Sequence, residues 1–428
     1  MNIRYLYTYL LIVSTGFGIS YPDFNVTINN NPYPQDIFIH STAQDNQFMA
    51  ILDHQLEVKW YIVSIGGKGW DFKVNNNNNL TYFRKPGQDT WTPSGGGLWY
   101  SMNQDMMEVD TLECVNGFKA DYHDIQYTES GGYILQAYAK EIIDLPQTVM
   151  VDTANILVLQ EFDSSHNLIF EWKNSDYMSI HDYVDNLNLN STYRNWMHGN
   201  SIEIDVDGNI VVSNRAMSEV IKFNRTSGEI IWILGGPMND FTFINDSLYG
   251  PNRQHDVRRL ENGNIMIFDN GDQRDIPLTR ISEYELDEVN MIATLVWSYS
   301  HPDGYVSLNQ GCSQRLDNGN TLISWGGVSG RGQIITEIDS LGNRVLEFEY
   351  PDGNTSYKVR KSDWSFNINL IEADINLDSN IDILDILHIV NFIISSQEPD
   401  PFYLYKADLD KSGAIDVSDI IAILSLLL

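Results

Sequence analysis

The stretch QHDVRRLENGNIMIFDN, residues 254–270, decides how the chain is read. HDVRRL has the pattern of a strand, ENGN carries an Asn-Gly pair that favours a tight turn, and IMIFDN returns as a second strand. His255 heads the first strand, eight residues before the turn glycine Gly263. The design recurs as HDIQYTESGGYILQAY from His123, HGNSIEIDVDGNIVVSNR from His198 and GCSQRLDNGNTLISWG from Gly311. Three of the four copies therefore carry histidine at one structural address. A half-buried strand needs apolar side chains there, so patterning alone does not account for the imidazoles.

A second element alternates with the first. It is a β-rich run ending in an aromatic, at Trp60, Trp172, Trp232, Trp297 and Phe348, with a weaker copy near Trp99. The clear later copies are roughly 50–65 residues apart, and each repeat holds short strands and glycine-rich turns, which signifies a β-propeller. Two strand motifs alternating inside one repeat fit a blade better than a sandwich array or a solenoid. Counting the weak unit predicts a mainly β fold of six blades over about residues 45–365. With each histidine-bearing strand innermost in its blade, His123, His198, His255 and the Gly311 position ring one mouth of the channel. Residues 21–48, rich in Asn and Pro, show no long periodicity.

The chain has 428 residues, 43% of them hydrophobic and 12% aromatic, which suffices for one large domain and an appendage. Its formal net charge of −32 argues against nucleic acid as a partner, because no basic stripe exists to neutralise phosphates. An anionic substrate would need positive charge of its own at the site. Residues 1–20 combine Arg4, an apolar run from Leu6 to Val13 and small residues near Gly16–Ser20. That is a secretory signal pattern, with an uncleaved anchor as the weaker alternative, and it implies a secreted or periplasmic protein. No later run is apolar for long enough to span a membrane. The two cysteines, Cys114 and Cys312, could pair, and spacing does not decide it.

The propeller is assigned to residues 21–365, and the character changes over 366–428. Two similar segments follow there, with leading aspartates Asp374 and Asp408 spaced 34 apart. Asp374, Asn376, Asp378, Asn380 and Asp385 fall at positions 1, 3, 5, 7 and 12 of a calcium loop. Asp408, Asp410, Ser412 and Asp419 take positions 1, 3, 5 and 12 of a second, with Gly413 at position 6, where the first loop has Ser379. Oxygen donors at this spacing suit Ca²⁺, and a helix is expected after each loop. The helices' apolar faces (Ile383, Leu384, Ile386 and Leu387; Ile420, Ile421, Ile423 and Leu424) make too small a core to stand without metal, so this tail reads as a separate calcium-ordered unit.

Three histidines at a channel mouth suit two kinds of chemistry. They could hold zinc, against which no set of carboxylates backing the ligands is evident, although Asp124 and Asp256 each follow a candidate ligand. They could equally serve nucleophilic and acid–base chemistry on an oxyanion. Arg215 comes 17 residues after His198 on the returning strand of the same hairpin, and its planar fork suits sulfate, phosphate or carboxylate. Arg258 and Arg259 follow His255, and alternation lets only one of them share its face.

HDIQYTESGGYILQAY, the block from Trp196 to Gly236 and QHDVRRLENGNIMIFDNG resemble the arylsulfotransferase family, and the tail resembles a type I dockerin repeat. The first resemblance implies a six-bladed propeller that moves a sulfuryl group from a phenolic sulfate donor to a phenol acceptor without a nucleotide sulfate or other catalytic cofactor. By the same resemblance His255 is the histidine that becomes sulfated, His198 and Arg215 grip the sulfuryl oxygens, and His123 is the remaining catalytic histidine. Exchange through a sulfohistidine is ping-pong. The alternative is a non-catalytic extracellular propeller that binds a partner or glycan. The pairs Ile383–Leu384 and Val417–Ser418 differ from the Ser-Thr type pairs of many cellulosomal dockerins, so a different extracellular protein partner or an intramolecular role is expected for the tail.

Overall fold

The computed structural model describes residues 19–43, 46–64, 68–85, 96–148, 151–367, 371–395 and 401–428. The signal-peptide reading of residues 1–20 falls almost wholly outside them. Among the described residues the strands form six sheets of four or five strands. They are six propeller blades, and the histidine-bearing hairpins supply the inner edges of the third, fourth and fifth.

The third blade starts with its innermost strand Ala120–Tyr127 and continues with Tyr133–Ile143, Asp152–Phe162 and Leu168–Lys173. The fourth runs from Gly199–Ile204 to Ile230–Leu234, the fifth from His255–Arg259 to Ile292–Tyr299, and the sixth from Cys312–Arg315 to Arg344–Glu349. The second spans Lys68–Val74 to Glu108–Leu112. Trp99 lies on its third strand, Leu98–Met102, whereas Trp60, Trp172, Trp232 and Trp297 lie on the outermost long strand of their blades. This one-strand displacement is why the second unit was the weak one in the sequence.

The inner hairpins turn alike. In each, one residue closes a five-residue loop and the glycine takes positive φ: Leu260 N–H donates to Asn264 O at 2.8 Å with Gly263 at φ 86°, and Gly131, Gly208 and Gly319 repeat the geometry. This is a type I turn ended by a left-handed glycine, in place of the two-residue mirror-image turn, and Asn262 keeps negative φ while its side chain caps Asn264 N–H.

The ring is closed by both ends of the chain. Val359–Ser362 is the innermost strand of the first blade, paired with Asp36–Ala43, and Asn25–Asn29 is the outermost strand of the sixth. Residues 21–48, which lacked periodicity, therefore hold two strands and the start of a third; Asn25–Asn29 is made by a distant partner, and Asp36–Ala43 pairs both with distant Val359–Ser362 and with adjacent Asn46–Leu52. The fully buried pair Lys361–Glu337 at 2.5 Å fastens the closure, with Tyr33 bonded to both partners. Apolar burial is divided into wedges between neighbouring blades, such as Trp172 against Phe223 with centroids 4.3 Å apart. Cys114 and Cys312 are both buried and both free, so the pairing that the sequence left open does not occur.

The tail folds into helices Ile383–Ser395, Pro401–Ala407 and Val417–Leu427. The middle helix was absent from the sequence reading. It packs Phe402, Leu404 and Tyr405 into the wedge between the first two blades, with Trp60, Tyr82 and Met102. The expected apolar faces need correction too. Ile386, Ile389 and Ile423 are buried, whereas Ile383, Leu384, Leu387, Ile421 and Leu424 are exposed, because a helical stripe buries positions three or four apart rather than adjacent ones. Among the described residues no helix is long and apolar enough to cross a membrane.

Candidate functional site

The mouth is built by equivalent positions of successive inner strands. His123 lies within Ala120–Tyr127, His198 directly precedes Gly199–Ile204, and His255 opens His255–Arg259. Each of the last two strands slips register just past its histidine, and Asp256 takes φ 51°, so a bulge re-aims the side chains there. His123 and His198 meet with Nε2 atoms 3.3 Å apart. Arg215 follows Ile210–Asn214, and its backbone N–H donates to His198 O at 2.9 Å. Arg215, His198 and His123 all lie close enough to interact electrostatically with His255, so the four residues singled out in the sequence share one locale.

Hydrogen bonding sets the imidazoles. Asn270 donates its amide to Ser307 O and Gln310 O, each at 3.0 Å, which turns its Oδ1 toward His255 Nδ1 at 2.7 Å. Nδ1 must then carry the proton, and Nε2 keeps its lone pair. Burial and the neighbouring Arg215 guanidinium hold His255 well below the usual imidazole range, and hence neutral. Burial, followed by the neighbouring His123 and Arg215, lowers His198 to about 3. His123 Nδ1 bonds Asp121 Oδ1, which also accepts from Gln136 at 2.6 Å. Arg215 is lowered to about 10 by burial and by Arg253, and stays charged at neutral pH.

The aspartates that follow the histidines do different work. Asp124 Oδ2 accepts from Ile202 N–H of the fourth blade, and Asp256 Oδ2 from Ser313 N–H of the sixth, both at 3.0 Å. Ser201 and Cys312 make the matching contacts to Val257 N–H and Val359 N–H. These are latches between inner strands. The same carboxylates pair with Lys73, Arg258 and Arg360, filling the channel below the mouth with compensated charge. Arg258 therefore points into the channel, and Arg259 points away to Asp205 and Glu288. The zinc reading loses its geometry. Among the described residues, the group of His, Cys, Asp and Glu donors that converges within 4.8 Å is Asp408, Asp410 and Asp419, not the histidines.

Those aspartates belong to the second tail loop. Asp419 accepts from Leu409, Asp410 and Asp416 N–H, and Asp385 does the same for Ile375, Asn376 and Asp382, so the two loops share one construction. Ser379 adopts φ 67° where Gly413 adopts 84°, so the serine accepts the conformation that position 6 demands. All-oxygen donor sets of this kind fit a hard divalent cation.

A family model described as Arylsulfotransferase (ASST) matches residues 23–360. The chain belongs to the arylsulfotransferase family. A Dockerin type I domain model matches residues 372–428. No curated protein matches the chain. Among solved structures, a protein of unknown function from Bacteroides caccae is 14% identical with a TM-score of 0.48, covering 77% of this chain and 99% of its own. The periplasmic gluconolactonase PpgL of Pseudomonas aeruginosa is 9% identical with a TM-score of 0.43, covering 77% and 99%.

Two large clefts of this arylsulfotransferase-family propeller lie away from the histidines. One of about 830 Å³ adjoins Tyr127, Asp205 and Arg259, another of about 750 Å³ adjoins Phe24 and Arg331, and no histidine lines either. The mouth is the stronger candidate because a neutral imidazole, a charged guanidinium and an Asp-bonded histidine converge there. Sequence reasoning missed Asp121, Asn270 and the aromatic wall of Trp70, Tyr122 and Tyr357. Tyr122 stacks on His123 with centroids 4.3 Å apart, and Trp70 lies 4.8 Å from Tyr122. One signal was visible: asparagine closes the return run in both VVSNR and IFDN, ending the strand at Asn214 and just following it at Asn270, and Asn214 holds His198 N–H as Asn270 holds the His255 ring.

Proposed function

We propose that the chain is an exported aryl sulfotransferase that carries the sulfuryl group on His255. The supporting observation is a neutral His255 whose Nδ1 is committed to Asn270, leaving the Nε2 lone pair beside a charged arginine. Nε2 forms a bond to sulfur as the bond from sulfur to the phenolic oxygen breaks, and phenolate departs. A second phenol then takes the sulfuryl group from the sulfohistidine and restores the imidazole. The moving group is loose and electron-poor, so catalysis rests on positioning and charge. His198 and Arg215 grip the sulfuryl oxygens. His123, oriented by Asp121, gives a proton to the leaving phenolate and takes one from the acceptor.

Asp374, Asn376, Asp378, Asn380 and Asp385, and Asp408, Asp410, Ser412 and Asp419, would hold Ca²⁺ in the two tail loops. The cation supplies charge neutralisation that orders the loops and takes no part in the transfer. A dockerin domain fits an extracellular protein with a protein partner, and its exposed Ile383, Leu384, Leu387, Ile421 and Leu424 suit such docking.

The test is incubation with a chromogenic aryl sulfate, with and without a phenol acceptor. Acceptor-dependent release, with acid-labile and base-stable sulfate on wild type but not on His255→Ala, is the expected result. Undiminished transfer by His255→Ala would sink the assignment.

A further inference from the structure

A second guanidinium stands at the same mouth. Arg253, two residues before His255, adopts φ 52°, a left-handed conformation uncommon for a long side chain, and its backbone N–H is held by Ser218 Oγ at 3.0 Å. Its charge acts on both Arg215 and His198. Asp272 reaches toward both arginines: Oδ2 lies 3.8 Å from Arg215 Nη2, and Oδ1 lies 3.4 Å from Arg253 Nε. Neither contact is a formed hydrogen bond. Arg215 Nε, Arg253 Nε and Asp272 Oδ1 are buried, and none has a hydrogen-bond partner among the described residues.

Buried donors in native proteins are almost always satisfied. Here two guanidinium groups share one carboxylate, which leaves one net positive charge, and their free donors collect at a channel mouth in a chain of net charge −32. An anion with several oxygens and a single charge corrects both deficits at once. A sulfate monoester is such an anion.

We propose that Arg253 contacts substrate, forming with Arg215 a two-guanidinium cradle for the sulfuryl oxygens, and that Asp272 is a positioning residue that holds the two like charges side by side. This rests on reading the mouth as a sulfuryl-transfer site. The carboxylate also competes with the substrate for the cradle, so its removal and the removal of Arg253 have opposite effects on anion binding.

The experiment uses the full chain and 4-methylbenzenesulfonate, which cannot transfer its sulfonate, with binding measured by calorimetry. Loss of one charged donor in Arg253→Met should weaken binding ~10–100-fold, and Arg253→Lys should recover part of it. Asp272→Asn should bind the sulfonate more tightly than wild type, with KM for an aryl sulfate moving the same way. A merely structural pair would weaken binding in both variants. Wild-type affinity in Arg253→Met, or no tightening in Asp272→Asn, overturns the proposal while leaving the transfer site intact. Failure of wild type itself to bind the sulfonate overturns the underlying reading and the cradle with it.

Discussion

At the scale of residues, a single hydrogen bond decides which nitrogen of His255 keeps its lone pair. Asn270→Ala removes the acceptor that holds Nδ1–H and leaves the ring free to turn. Loss of such an orienting partner typically costs ~10–100-fold, so kcat for an aryl sulfate should fall by about that factor, while the loss of the Asn270 bonds to Ser307 O and Gln310 O also lowers the melting temperature. Arg215→Lys keeps the charge but loses the fork, and a missing oxyanion donor costs on the order of 10²–10³ in rate. Near-wild-type turnover in that variant would make Arg215 a hairpin residue only. The pH dependence follows from the lowered imidazoles. A depressed pKa keeps His255 unprotonated at pH values where a free imidazole, near 6.5, has taken its proton. The acid limb of kcat/KM should therefore lie below pH 6.5; a limb at or above 6.5 would contradict a neutral, buried nucleophile.

At the scale of elements, the inner strand joins the candidate site to ring closure. In the His-Asp pairs the histidine faces the mouth, and the next residue crosses to the neighbouring blade and into the charge plug below. This explains the repeated motif more fully than either role alone. Asp256 is fully buried between Arg258 and Arg360, which with burial opposing hold its carboxyl well below the usual range. Asp256→Ala leaves buried guanidinium charge uncompensated, at a cost of ~3–5 kcal/mol, and should lower the denaturation midpoint accordingly. An unchanged midpoint would mean that water reaches the plug. Because that carboxylate is depressed, its stabilisation is full above the unfolded pKa and is lost as pH falls toward its folded value.

At the scale of the whole molecule, the tail and the propeller share a core. Phe402, Leu404 and Tyr405 are buried against Trp60 and its neighbours, and Ile19 N–H donates to Asp410 O at 3.2 Å, so the second acidic tail loop touches the start of the propeller. Each such buried side chain contributes ~1.5–3 kcal/mol. A chain ending at residue 367 should thus melt several degrees lower than the full chain. Added Ca²⁺ should raise the melting temperature of the full chain and leave the truncated one unmoved. Equal melting of both would show that the helix Pro401–Ala407 adds nothing to the first blade.

The fold class, the inner hairpins and the histidine address were legible in the sequence because they depend on local periodicity and turn chemistry, repeated often enough to stand out. The two acidic tail loops were legible for the same reason, their oxygen-bearing residues spaced within twelve positions. Asn270, Asp121, Arg253 and Asp272 were not assigned, since what gives them meaning is the orientation of a neighbour's donor atoms. Nor were the strands Asn25–Asn29 and Val359–Ser362, which pair with sheets more than 300 residues away along the chain. Closing a ring joins its ends, and the middle helix of the tail finds its apolar partner on a blade that local pattern cannot name. Those long-range choices belong to the tertiary structure, because apolar burial and charge compensation across blades are decided only when the six wedges meet.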